Sequence, residues 1–130
     1  MKGLLLTREG QKIVLKEIEV SEGENQLKDI QNCIGGHMEI PYIKKIFNDN
    51  KILVILNDEG KLLNPSCIVK KDEQICDTLN GNVLFLSADG EDIVGLSEEQ
   101  INIIKNEIQL VTFYINSNGD TITLASLELD

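Results

Sequence analysis

A chain of 130 residues with 42% hydrophobic side chains and a formal net charge of −10 is large enough to bury one core without metal or disulfide support. That apolar content argues against disorder. The charge excludes a general nucleic-acid binder, because phosphate contacts need clustered Lys and Arg, and no apolar run approaches the roughly 20 residues of a membrane-spanning helix.

In chain order, Gly3–Leu6 reads as a first short strand with Arg8-Glu9-Gly10 as its turn. Lys12–Val20 reads as a second strand, continuous at Ile13-Val14-Leu15 and then alternating. Ser21-Glu22-Gly23-Glu24 fits a capping box with Ser21 as N-cap and Glu24 at N3. Leu27, Ile30, Cys33 and Ile34 follow at helical spacing, which predicts a helix over about Glu22–Cys33. Gly35-Gly36 ends it, since glycine adopts the left-handed conformation without a Cβ penalty. His37–Ile43 is expected as an interrupted or edge strand at Pro41, and Lys44-Lys45 with Phe47–Asn50 as a polar connection.

The most informative stretch is KILVILNDEGKLLNP at 51–65. Ile52–Leu56 is an unbroken, partly β-branched run, short enough for a strand buried on both faces. Asn57-Asp58-Glu59-Gly60 reads as a hairpin turn, with Lys61-Leu62-Leu63 resuming the strand and Asn64-Pro65 ending it. Ser66–Lys71 is expected as a short strand, followed by an exposed charged loop at Asp72-Glu73. Ile75–Leu79 leads to a tight turn at Asn80-Gly81, and Asn82–Ser87 is the second most apolar strand. Asp89-Gly90-Glu91-Asp92 forms a loop. Ser97-Glu98-Glu99-Gln100 is a second capping box, opening a helix with Ile101, Ile104 and Ile108 on one face. Val111–Ile115 and Thr121–Leu127 flank Ser117-Asn118-Gly119-Asp120 as a terminal hairpin, placed to complete the sheet or to offer an edge for self-association. Together these elements predict a single α+β domain over 1–130, with a mixed, mostly antiparallel sheet, two helices and a C-terminal β-hairpin.

IGGHMEI at 34–40, ILVILNDEGKL at 52–62, Asp77 with LNGNVLFL at 79–86, and DGEDIVGLSEEQI at 89–101 occur in that order. In this linked order the chain resembles the domain-of-unknown-function 3846 family of phages, plasmids and related mobile elements, over about residues 27–107. The resemblance implies an α+β fold and a mobile-element origin, and assigns no residue a catalytic role. The chain departs from the family pattern at Asn64-Pro65-Ser66, where the family continues Leu-Pro-x-Asn, and in the added strands of 111–127.

Candidate chemistry is sparse. Cys33, Cys67 and Cys76 are odd in number and contain no CxxC, and the single His37 stands four residues from the nearest of them. Neither a metal site nor a disulfide framework is expected, and a reducing cytoplasm is the consistent compartment. MKGLLL is too short an apolar core for a signal peptide. His37 and Glu39 would share a strand face, and such a pair can form a general base for a cysteine nucleophile. No cysteine has a catalytic context, so His37 is read as a packing or surface residue. No cofactor is expected, and the expected action is binding rather than catalysis, with an uncharacterised enzyme as the further alternative.

Charge is the stronger signal. Residues 1–71 carry 11 Lys/Arg against 10 Asp/Glu, whereas from Asp72 onward 12 Asp/Glu stand against Lys105 alone. Two binding modes follow. Asp89, Glu91, Asp92, Glu98 and Glu99 form an acidic surface for a basic host protein, the action of a counter-defence inhibitor whose binding weakens as salt rises. Alternatively Lys44, Lys45, Asn57, Lys61, Lys70 and Lys71 hold a small nucleotide signal between subunits, although Arg8 is the only arginine fork available for phosphate. A homo-oligomer, most simply a two-fold dimer using the 111–127 hairpin, is expected in either case.

Overall fold

The computed structural model describes residues 1–130. Strands β1 (Lys2–Glu9) and β2 (Lys12–Glu19) lead to α1 (Gln26–Ile34). Then come β3 (Met38–Glu39), α2 (Lys45–Asp49), β4 (Ile52–Asn57), β5 (Pro65–Lys71), β6 (Gln74–Asn80), β7 (Val83–Asp89) and β8 (Asp92–Val94). The chain closes with α3 (Glu98–Glu107), β9 (Ile108–Tyr114) and β10 (Thr121–Glu128). All ten strands join one curled sheet in the order β3-β4-β7-β1-β2-β10-β5-β6, with β8 on β7 and β9 on β10. Only the pairings of β10 with β2 and with β5 are parallel. This is the expected single α+β domain with a mixed, mostly antiparallel sheet and a terminal hairpin, with three helices where two are expected.

The sheet centre is buried on both sides, which is why its strands read as continuous apolar runs rather than alternating ones. Period-2 geometry sends Val83 and Phe85 of β7 to one face and Leu84 and Leu86 to the other. On the first face Leu4, Leu6 and Val54 meet Ile101 and Ile104 of α3 and Phe47 of α2. The Phe47 and Phe85 rings pack edge to face at 6.0 Å. On the second face Leu5 and Ile55 meet Ile30 and Ile34 of α1. Each such fully buried aliphatic side chain contributes about 1.5–3 kcal/mol.

Several local expectations are corrected. The first capping box does not form, because Gly23 has φ +75°, a left-handed conformation that no second helical residue can hold. Gly23–Asn25 is instead a 3-10 turn before α1, and the Ser21 N–H donates to Asp29 Oδ2 at 2.7 Å. Gly35, at φ +80°, does terminate the helix. Only Met38 and Glu39 of the 37–43 segment pair with β4, and the expected polar connection contains α2, held by the buried Phe47.

The turn after β4 is not a hairpin. Asn57 Oδ1 accepts the Glu59 N–H at 2.8 Å, and the chain enters a 3-10 turn at Gly60–Leu62 with Leu62 exposed. Pro65 begins the next strand instead of ending one, at a position where its missing N–H costs no ladder bond. Strand β5 pairs with β6 through a two-residue turn in which Asp72 and Glu73 both have positive φ. Asn80-Gly81 does turn, with Gly81 at φ +71°, but it joins β6 to β7, which are not neighbours.

The terminal hairpin is an integral part of the sheet. On one edge β10 is antiparallel to β9, from Thr121↔Tyr114 to Leu127↔Ile108. On its other edge it meets Lys12 of β2 at Thr123 and then runs parallel to β5 from Ala125↔Cys67 to Glu128↔Lys70. Ala125 and Leu127 are buried in the main core.

Candidate functional site

The acidic end of the molecule is built by one well-capped helix and one tight hairpin. Ser97 Oγ accepts the Gln100 N–H at 3.2 Å, and Gln100 Oε1 accepts the Ser97 N–H at 2.9 Å, completing the expected box. The Gln100 amide then donates to Ser87 Oγ at 2.8 Å and to the Asn50 carbonyl at 2.9 Å. These bonds seat the start of α3 against the end of β7, two residues from Asp89. There β7 and β8 are joined by the two-residue turn Gly90-Glu91, with Gly90 at φ +64° and Asp89 opposite Asp92 in register. Asp89, Glu91, Asp92, Glu98 and Glu99 are all exposed.

Two cations share this end. Lys2 Nζ reaches Glu98 at 3.0 Å and Glu17 at 3.8 Å, and the Glu98 hydrogen bond and charge raise the Lys2 pKa. Lys51, at φ +59°, is exposed beside β7, where its carbonyl accepts the Ala88 N–H. No ion pair neutralises Asp89, Glu91, Asp92 or Glu99.

The lysines expected to hold an anion do not converge. Lys44 is buried, donating to the Glu107 carboxylate and the Glu128 carbonyl. It ties α2 to α3 and β10, a structural role that its sequence position does not reveal. Lys45 pairs with Asp49 at 2.6 Å on its own helix, and that hydrogen bond raises its pKa. Lys70 lies opposite Glu128 and Lys71 opposite Gln74. Only Asn57 and Lys61 share a cavity.

That cavity, about 230 Å³, lies where the 39–43 loop and the end of β4 face β6 from the opposite end of the strand order. Lys61 spans it, donating to Asp77 Oδ1 at 2.8 Å and the Thr78 carbonyl at 3.0 Å. The hydrogen bond from Lys61 holds the Asp77 pKa below its ordinary value. Glu39 and Asp58 also line the cleft, so three carboxylates oppose one engaged ammonium.

The His37–Glu39 pair does not share a strand: His37 precedes β3 and is exposed, while Glu39 lies within it. Among the cysteines, burial pushes the Cys67 thiol up to about 12 and raises that of Cys33, so neither is an activated nucleophile. Cys76 is exposed and its thiol donates to the Val69 carbonyl. No cluster of His, Cys, Asp and Glu has the geometry of a metal site, and no helix is long and apolar enough to cross a membrane.

Architecture and site thus define a small α+β domain, a curled sheet with one helix on one face and two on the other. The model of the family described as Domain of unknown function (DUF3846) matches residues 1–109, and the chain belongs to that family. The match extends the 27–107 resemblance through β1 and β2 and stops just inside β9, leaving β10 outside it. No curated protein and no solved structure matches the chain.

Proposed function

We propose that this is a non-catalytic accessory protein of a phage, prophage or plasmid, which binds a basic surface of a host protein through its acidic end in the manner of a counter-defence inhibitor. The observation that carries the reading is the pairing of Asp89 with Asp92 across a turn tipped by Glu91. Like charges directly opposite on neighbouring strands destabilise a sheet. Three carboxylates without ion-pair partners at a hairpin tip therefore cost stability in the free protein, a cost that a cationic partner would reverse. Gln100 adds Glu98 and Glu99 to the same end by anchoring α3 there.

The test is capture of host proteins by the wild-type chain and by a triple variant, Asp89→Asn, Glu91→Gln, Asp92→Asn. A basic partner bound at low salt, released at high salt and lost by the triple variant is the expected result. Equal capture by the triple variant would overturn the reading. A nucleotide ligand between subunits draws less support, because the cleft that contains Lys61 and Asn57 also holds the carboxylates of Glu39, Asp58 and Asp77, which repel phosphate.

A further inference from the structure

We propose that β9 is a self-pairing edge, joining two copies of the chain as an antiparallel, two-fold dimer centred on Thr112. Exposed strand edges are normally blunted by short length, charge, bulges or covering groups, and the other free edges of this sheet show those devices. Strand β3 has two residues and β8 has three. Strand β6 carries Asp77, pairs irregularly with β5, and has its Thr78 carbonyl occupied by Lys61. Strand β9 has none of them. It is seven residues long, IQLVTFY, with no charge, no proline and a continuous register against β10.

The direction of its free groups follows from bonds already made. Ile115 N–H donates inward to Asp120, and Thr123, opposite Thr112, donates away from β9 to Gln11. Antiparallel alternation therefore turns the N–H and C=O of Leu110, Thr112 and Tyr114 outward. A two-fold axis at Thr112 pairs it with its own copy and each Leu110 with the partner's Tyr114, so all six groups bond across the axis. The same register sets each Tyr114 ring beside a leucine and each Phe113 opposite Val111, favourable aromatic–aliphatic pairs. In the single chain these side chains are costly to leave in water: Leu110 is 50% exposed, Phe113 40% and Tyr114 81%.

The register selects a second copy as the occupant, because about Thr112 this edge is complementary to itself in both hydrogen bonds and side chains. Each chain carries −10, which opposes association, and β9, a strand without a charged residue, is an edge on which that repulsion is locally least. A cationic partner finds no carboxylate on this strand to pair with.

Sedimentation of the purified full chain tests this, with Thr112→Pro and Thr112→Lys as variants. Proline at 112 removes an outward N–H and the Thr112–Thr123 hydroxyl contact but leaves the β9–β10 backbone ladder bonds in place, while lysine sets two cations face to face on the axis. Native circular dichroism in both variants establishes that the domain still folds. The expected result is a wild-type dimer that tightens as salt screens the repulsion, with dissociation constants raised at least about tenfold in both variants. A monomeric wild type, a Thr112→Pro chain that dimerises unchanged, or a monomer whose β9 edge accepts an unrelated strand peptide would each overturn the proposal.

Discussion

At the residue scale, three polar groups show how position decides meaning. Lys44 looks like any surface lysine in sequence, yet its ammonium is the junction of α2, α3 and β10. Lys44→Met removes bonds to a carboxylate and a carbonyl and should lower stability by about 1.5–3 kcal/mol in urea unfolding. Asp89→Asn should act in the opposite sense, raising stability by about 0.2–1 kcal/mol through relief of its repulsion with Asp92; a loss on the same assay would contradict that reading of the turn. Cys67 gives a pH signature. Its folded pKa, about 12, lies above the ordinary 9.0, so the unfolded chain releases that proton first. The associated stability is whole below pH 9.0 and falls as pH rises toward 12. Thiol reagents should label exposed Cys76 in the native protein and reach Cys67 only on unfolding.

At the element scale, legibility follows how local the determining interactions are. Helix α3 is readable because its cap, its acidic first turn and its apolar face all lie within a dozen residues, and Ser97→Ala should cost about 0.5–2 kcal/mol by denaturant titration. Helix α2 is five residues long, and its existence depends on Phe47 reaching Phe85, a distant contact that leaves no periodicity in the sequence. The segment after β4 misleads for a related reason. Asn57-Asp58-Glu59-Gly60 has real turn chemistry, but whether the chain folds back on β4 or moves on is decided by β6 and β10. The acidic surface was legible as composition, and its clustering became visible only through Gln100 linking α3 to Ser87. Within one chain the lysines do not group, because Lys44, Lys45, Lys70 and Lys71 are drawn to partners or positions away from the cleft.

At the scale of the whole molecule, the family match and the architecture divide the chain differently. Residues 1–109 match the family, yet β10 beyond them joins β5 to the rest of the sheet and buries Ala125 and Leu127. The terminal hairpin is therefore expected to be indispensable here: a chain ending at residue 109 should lose cooperative unfolding, measured by circular dichroism on heating, whereas the folded edge variants retain it. Retained cooperativity would show that β5 and β6 dock without the hairpin.

The parallel pairing of β10 with β5 also sets an order of events during synthesis. Cys67 is synthesised well before its neighbour Ala125, and at roughly 5–20 residues per second the interval is on the order of 3–12 s. Throughout that time β5 can pair with β6 alone, and the edge destined for β10 stays open. The nascent chain is thus most vulnerable to mispairing and to chaperone capture in its middle third, and is released from that hazard by a strand made nearly sixty residues later.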